Sequence, residues 1–221
     1  MVGLFHNYLL IDLNYKNKTY NKVISQFRHF IKWLIEERKY EIDNPFVGVT
    51  RRQETTNNLI VTREEFNSLL EKVLPENGFV THSNGKRRNL YRKWMKNAFK
   101  LALETGLRRE EFMTLKYTDI KEGEKENVLY VQVENFKVNR LMQKEDEAKQ
   151  YKSIPVTEGL KELLEDLNYK ENKGKDVYLI GPNDKSSRET LLLVVSKAFS
   201  HFWKFTGSSK KANLKHLRKH I

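Results

Sequence analysis

Apolar residues recur at helical spacing along most of the chain, and this pattern predicts its main elements. Between Lys18 and Lys39 they follow an i, i+3, i+4 spacing, typical of an amphipathic helix with one buried face. The positions that carry this spacing are Tyr20, Val23, Ile24, Phe27, Ile31, Leu34 and Ile35. A shorter helix over Phe5 to Leu13 is predicted to pack on it.

A second series of helices is predicted after residue 58. Thr62 and Glu65 form a capping-box pattern, which marks a helix start. A long helix then ends at Gly106, because glycine readily adopts the left-handed conformation that closes a helix. Shorter helical patterns follow over Arg108–Leu115, Thr157–Leu167, Glu189–Phe205 and Asn213–Ile221.

Two segments rich in β-branched and apolar residues interrupt the helices. Val128 to Val133 and Lys152 to Val156 are predicted to pair as strands, with a charged, flexible loop over Val138 to Tyr151 between them. The chain is therefore predicted to be mainly α with a small antiparallel β-sheet, an α+β fold.

Breaks in the helical pattern predict two structural units. Asn44-Pro45 ends the first helical region, since the residue before proline disfavours helix. The polar, basic stretch that follows has no periodicity and is typical of a linker. We predict a helical unit at 1–50, a linker at 51–58 and a larger unit at 59–221.

The charge of the chain indicates what kind of partner it binds. The chain has 41 Lys and Arg against 29 Asp and Glu, which gives a net charge of +12. Neutralised phosphates release counterions, so nucleic acid is favoured over the alternative of a soluble domain that is merely basic. The cations predicted to contact DNA are Lys18, Lys22, Arg28, Arg87 and Arg88.

Other classes of protein are disfavoured by composition. Cysteine is absent, which excludes disulfides, thiolate metal sites and cysteine nucleophiles. No apolar run approaches membrane-spanning length and the first residues do not resemble a signal peptide, so we expect an intracellular protein without a membrane partner. His216 and His220 are spaced i, i+4, but two ligands are too few to predict a metal site.

The most informative stretch surrounds Arg108. A helix ends at Gly106 and a new one starts at Arg108, where the helix dipole favours a bound anion. Glu111 lies on the same face of the new helix and is placed to orient the guanidinium. The alternative is an ordinary solvent-exposed arginine in a helix–turn–helix.

This stretch resembles the first catalytic-arginine box of the tyrosine recombinases, the phage-integrase family. The matching residues are Thr105, Gly106, Leu107, Arg108, Glu111, Leu115, Asp119 and Ile120. The resemblance covers nearly all of the chain from Thr19 onward. It implies a partial helical core-binding (SAM-like) domain at 1–50, often ending in Asn-Pro, and a catalytic domain at 59–221 with a three-stranded sheet.

The second box of that family has the form His-x-x-Arg, usually with leucine before the arginine. Leu217-Arg218 fits this form, but Lys215 occupies the histidine slot and His216 lies one position too late. The resemblance implies catalytic roles for Arg218 and Lys215. The alternative is that Lys215, His216 and Lys219 form only a basic helix face.

The family also uses a lysine between the second and third strands. Lys137 resembles it, because Glu134-Asn-Phe-Lys137 is followed by a loop and then by Lys152-Ser-Ile-Pro155. Lys144, Lys149 and Lys152 remain competitors for this role.

The resemblance implies phosphoryl transfer without a metal or another cofactor. Arg108 and Arg218 would clamp the phosphate, Lys137 would be the general acid, Lys215 would assist and Glu111 would support Arg108. The family's nucleophilic tyrosine lies beyond the second box, whereas no tyrosine follows Arg218 here. We therefore expect a chain truncated before its nucleophile, which binds DNA without cleaving it.

The resemblance also implies partners and a setting. These are double-stranded DNA, other protomers of the same protein (a tetramer for the full-length family), and the cytoplasm of a bacterium or phage-infected cell. Two alternatives stay open. One is a non-catalytic DNA-binding accessory protein of the same fold, and the other is a basic RNA-binding module.

Overall fold

A computed structural model describes residues 2–55, 59–81, 83–124, 128–142 and 149–219, without the side chains of residues 142 and 219. The chain divides into two compact units, Met1–Asn58 and Leu59–Ile221. In the described ranges, no helix is long and apolar enough to cross a membrane.

The first unit consists of two helices and the turns around them. Helix α1 (Val2–Asn7) continues into a π-helical turn (Tyr8–Asp12), and α2 spans Asn17–Glu36. The chain leaves α2 earlier than predicted, and Lys39 has a left-handed φ of 57°. The buried core is small, and Phe27 remains 41% exposed although the helical spacing placed it on the buried face. The core residues are Leu9, Tyr20, Ile24 and Phe46.

Side-chain hydrogen bonds fasten the rest of this unit to α2. Asn44 Oδ1 accepts from the Phe46 N–H at 3.1 Å, and Asn44 Nδ2 donates to the Arg28 carbonyl at 2.9 Å. Asn21 donates to the Arg52 carbonyl and accepts from its N–H, at 2.8 and 2.9 Å. The start of the predicted linker therefore runs along α2 in hydrogen-bonded contact with it.

The second unit contains seven described helices, and five of them correspond to helices predicted from the sequence. The capping box of Thr62 and Glu65 is confirmed, and Gly106 ends a helix with a φ of 58°. The helices are α3 (Arg63–Lys72), α4 (Met95–Thr105), α5 (Arg109–Met113), α6 (Phe136–Met142), α7 (Glu158–Asp166), α8 (Tyr169–Asn172) and α9 (Arg188–Trp203). Short 3₁₀ turns lie at Glu76–Gly78, Tyr117–Asp119, Lys204–Thr206 and Leu214–Lys219.

Two small antiparallel sheets complete this unit. Strands β1 (Phe79–Thr81) and β2 (Arg87–Asn89) form a hairpin. Strands β3 (Ile120–Glu122), β4 (Leu129–Glu134) and β5 (Tyr151–Pro155) form a sheet in the order β3-β4-β5. Val131 and Val133 of β4 are buried while their neighbours are partly exposed, so one face of this sheet covers the core.

The core of the second unit is organised around α4, which contacts α5, α7 and α9. Phe99 of α4 meets Phe199 of α9 edge-on with ring centroids 5.3 Å apart. Phe199 also stacks on Trp203 at 5.8 Å. These contacts fix α9 against α4, and the two helices lead to the residues described next.

Two local predictions were wrong. The loop predicted from Val138 begins as helix α6, whose side chain Asn139 is buried between the ends of β4 and β5. Asn139 Oδ1 accepts from the Gln150 N–H at 2.9 Å, and its Nδ2 lies 3.2 Å from both Glu134 Oε1 and the Gln150 carbonyl. The last segment is a 3₁₀ turn and not an α-helix.

Candidate active site

Arg108 is held at the start of α5 by a carboxylate three residues later. Glu111 Oε2 accepts from the Arg108 backbone N–H at 2.8 Å, and Oε1 accepts from Arg108 Nη1 at 2.9 Å. The left-handed turn at Gly106 lets α4 stop so that α5 can begin three residues later, at Arg109. The Arg108 side chain is 37% exposed, so it is anchored at one edge and open to solvent at another.

A lysine distant in sequence shares the same carboxylate. Lys152 Nζ of β5 lies 2.5 Å from Glu111 Oε1, and the Glu111 side chain is only 1% exposed. Burial by itself raises the pKa of Glu111. The hydrogen bonds from Lys152 and from Arg108 outweigh it, so the pKa lies below its ordinary value of 4.5. Glu111 is therefore a buried anion that positions two cations.

The lowered pKa predicts a pH-dependent loss of stability on replacing Glu111→Gln. A carboxyl group with a folded-state pKa below its unfolded value contributes stability fully above that unfolded value, and loses it as pH falls through the folded pKa. We expect E111Q to lower the free energy of unfolding by about 1–3 kcal/mol at neutral pH, since charged hydrogen bonds become neutral ones. Urea unfolding from neutral pH to below pH 4.5 measures whether the gap closes.

Glu110→Gln provides a neighbouring control, because Glu110 is 38% exposed and pairs with Arg140 at 3.0 Å on the surface. We expect little effect from it at any pH, as for other exposed ion pairs. A gap between wild type and E111Q that stays constant into acid would contradict a charged Glu111 in the folded state.

The second arginine reaches the same turn from the other end of the chain. Arg218 Nε donates to the Gly106 carbonyl at 2.9 Å. Leu214 and Leu217 are buried beneath it, which seats the 3₁₀ turn on the core. In the part of the chain that the structure describes, no hydrogen bond occupies the two Nη groups of Arg218, so they remain available to an anion.

The 3₁₀ geometry determines which basic residues of this turn lie on the same side. With about three residues per turn, Lys215 and Arg218 lie on one edge, and both are exposed. His216 points the other way, is only 7% exposed, and its Nδ1 accepts from the Asn213 N–H at 3.0 Å. The register that sequence alone left open thus puts Lys215, and not His216, beside Arg218.

The predicted catalytic residues line one cleft of about 740 Å³. Arg108, Glu111, Lys137, Lys215 and Arg218 all belong to its wall. Six cations and two carboxylates line this cleft, so its charge suits an anion. The remaining lining residues are Leu107, Arg109, Glu110, Phe112, Phe136, Arg140, Leu141, Ser196, Ser200, Asn213 and Leu214.

Helix α6 brings Lys137 to the cleft. The Arg140–Glu110 ion pair joins α6 to α5, and Asn139 joins it to the strand ends. Among the competing lysines, Lys152 contacts Glu111 and does not line the cleft, whereas Lys144 lies outside the described residues. The sequence had also not singled out Asn139, Arg140, Ser196 or Ser200. No local motif marks them, since each reaches the site through contacts distant in sequence.

The other cations predicted to bind DNA do not line this cleft. Lys18, Lys22 and Arg28 line a separate groove of about 610 Å³ in the first unit. Arg28 is partly engaged there, because Nε donates to the Phe46 carbonyl at 2.9 Å and Nη2 to the Val49 carbonyl at 2.6 Å. Arg87 and Arg88 belong to β2.

Solved structures of lambda integrase share the architecture of this chain. A lambda integrase dimer bound to a COC′ core site aligns with a TM-score of 0.62 and 20% identity, over 96% of this chain and 52% of that chain. A lambda integrase tetramer bound to a Holliday junction gives 0.62 and 19%, over 96% and 55%. Another DNA-bound lambda integrase structure gives 0.62 and 20%, over 96% and 65%.

No protein-family model and no curated protein matches the chain. The chain spans about half the length of the first of these integrase structures. At 20% identity the likeness is one of fold, and it agrees with the mainly α architecture and three-stranded sheet predicted from the sequence. The chain therefore has the fold of the tyrosine recombinases.

Proposed function

We propose that this chain binds duplex DNA and holds a phosphodiester in the cleft, as part of a site-specific recombinase of the integrase kind. The observation that carries the proposal is the convergence of Arg108 and Arg218 on the Gly106 turn, with Glu111 buried beneath Arg108. The Arg218 side chain reaches the Gly106 carbonyl across 112 positions of sequence. The guanidinium groups of Arg108 and Arg218 both remain at least partly exposed.

Two guanidinia suit the chemistry of phosphoryl transfer. Each presents a planar fork that matches a pair of phosphate oxygens. Negative charge builds on the nonbridging oxygens in the transition state, where fixed donors give the largest stabilisation. Arg108 needs little reorganisation for this role, because Glu111 already fixes one edge of its guanidinium.

We assign the proton transfer to Lys137, with assistance from Lys215. In the proposed reaction the hydroxyl oxygen of a tyrosine forms a bond to phosphorus and its proton is released to solvent. The bond from phosphorus to the 5′ oxygen breaks, Lys137 protonates that oxygen, and Lys137 regains a proton from solvent. Lys137 supports this assignment better than Lys152 does, since Lys137 lines the cleft while Lys152 is engaged with Glu111.

The tyrosines of these 221 residues do not fit the role of nucleophile. The last of them, Tyr178, precedes the second arginine and does not line the cleft. Its ring lies 3.5 Å from the Arg188 guanidinium carbon and 5.3 Å from Lys116 Nζ. We expect the chain as it stands to bind DNA and leave it uncleaved.

Assembly on DNA is part of the proposal. Lambda integrase has been solved as a dimer on a core site and as a tetramer on a Holliday junction. We propose that copies of this chain likewise meet on duplex DNA, and that Lys18, Lys22 and Arg28 contribute DNA contacts from the first unit.

Fluorescence anisotropy with a labelled duplex tests the proposal on the 221-residue protein. We expect the logarithm of the association constant to fall linearly with the logarithm of the salt concentration. In competition, the protein should prefer duplex DNA over RNA. A nicked suicide duplex should give no covalent adduct. Preference for RNA, or binding insensitive to salt, would refute the proposed function.

A further inference from the structure

The β1–β2 hairpin stands out by its charge. From Phe79 to Leu103 the chain carries seven lysines and arginines and no aspartate or glutamate. Two of these cations are neutralised within the molecule, because Arg92 lies 3.4 Å from Asp184 and Lys100 lies 3.1 Å from Asp166. In the described ranges no carboxylate pairs with Lys86 or Arg87, so the hairpin concentrates uncompensated positive charge.

Strand alternation divides the hairpin into two faces. Val80 and Arg88 are opposite partners and only partly exposed, with Val80 packed against the core. Thr81 and Arg87 are partners on the other face, which is open to solvent. On that face the Arg87 guanidinium lies 4.8 Å from the centre of the Phe79 ring, which restrains its orientation.

The base of the hairpin is tightly fixed. The Leu90 N–H donates to the Gly78 carbonyl at 2.8 Å, and the His201 Nε2 lies 2.7 Å from the Asn77 carbonyl. Gly78 has no room for a side chain, since a Cβ there would lie 2.6 Å from the Cβ of Tyr91. The hairpin is therefore held firmly at its base.

The β1–β2 hairpin starts beside α9, the helix whose Ser196 and Ser200 line the cleft. His201 follows Ser200, and Ser200 belongs to the cleft wall. A two-stranded ribbon with an exposed cationic face has the size and charge to lie against a duplex beyond the phosphate held in the cleft. His82 lies outside the described residues and has no part in this inference.

We propose that the β1–β2 hairpin is a second DNA-contacting element, in which Lys86 and Arg87 each bind a backbone phosphate outside the cleft. The inference rests on the proposed function, that the chain binds duplex DNA. Such contacts add affinity and fix the position of the chain on the duplex without reading sequence. Of the two arginines of β2, the exposed Arg87 makes the contact, because Arg88 lies on the partly buried face opposite Val80.

The test compares two double variants that remove the same charge. K86A/R87A alters the hairpin, whereas K161A/K170A alters exposed lysines of α7 and α8. Losing two phosphate contacts lowers the magnitude of the log–log salt slope by about 1.8 and weakens binding about 30-fold near 0.15 M salt, since each contact carries a slope of about 0.9. We expect these changes for K86A/R87A and less than about a 2-fold change for the control.

Three results separate the possibilities. If both double variants weaken binding equally, the hairpin inference fails while the proposed function stands. If the wild-type protein does not bind duplex DNA, both fail. The charge-conserving variant K86R/R87K should keep the wild-type slope, and a slope as low as that of K86A/R87A would overturn the inference.

A measurement on the wild-type protein does not depend on folding of any variant. Acetylation of Lys86, followed by mass spectrometry, should slow when duplex DNA is bound, whereas Lys161 and Lys170 should react at unchanged rates. Equal rates for Lys86 with and without DNA would overturn the inference.

Discussion

Replacing both cleft arginines, R108A/R218A, is expected to weaken duplex binding about 100-fold at constant salt. Each guanidinium is proposed to make charge-assisted hydrogen bonds to one shared phosphate, worth about 1.5 kcal/mol each. Their combined loss is about 3 kcal/mol, which corresponds to that factor. Anisotropy titration with the labelled duplex provides the measurement.

The salt dependence distinguishes this loss from that of the hairpin. Because both arginines address a single phosphate, the salt slope should fall by only about 0.9. R108K/R218K should keep the slope but still bind about 10-fold more weakly, since lysine lacks the planar fork. A double alanine variant that binds as tightly as K161A/K170A would show that the cleft does not hold a phosphate.

The largest expected loss of stability comes from Phe199→Ala. Phe199 is fully buried between Phe99 and Trp203, so its removal opens a cavity between α4 and α9. Such truncations cost about 3–5 kcal/mol, since lost burial and the cavity both contribute. Urea unfolding followed by tryptophan fluorescence gives the free energy of unfolding.

Phe205→Ala is the matched control, because Phe205 is 43% exposed at the end of the same region. We expect it to lower the free energy of unfolding by less than about 1 kcal/mol. Similar losses for the two variants would contradict the central place of Phe199 in the core.

The parts of the site that could be predicted from sequence are local ones. Arg108 and Glu111 are three residues apart on one helix, and Gly106 supplies the left-handed turn before them. Spacing alone places such groups together, because helical geometry fixes which neighbours share a face. Arg218 was predicted through its box, and Lys215 and Arg218 lie in one 3₁₀ turn and line the same cleft.

The parts that could not be predicted depend on partners distant in sequence. Lys152 reaches Glu111 across 41 positions, and nothing around Lys152 marks that contact. Most of helix α6 was predicted as a loop because the segment from Val138 to Tyr151 is rich in charged residues and lacks a periodic apolar face. Asn139 stabilises it through the Gln150 backbone, a contact that exists only after β4 and β5 have paired.

Burial in the first unit shows another limit of periodicity. The i, i+3, i+4 spacing identified the apolar face of α2 but overestimated how much of it is covered. A hydrophobic pattern predicts which face of a helix is apolar. How much of that face is buried depends on which other elements pack against it. Phe27 belongs to the pattern and Phe30 does not, yet both are exposed by at least 41%.

The small core of the first unit has a thermodynamic consequence for recognition. A unit that buries few side chains gains little free energy on folding, so its folded and locally unfolded forms are close in energy. A ligand that binds only the folded form shifts that equilibrium toward it. In the proposed complex, part of the free energy of DNA binding would offset the cost of ordering this unit. Binding of DNA and folding of the unit would then be coupled.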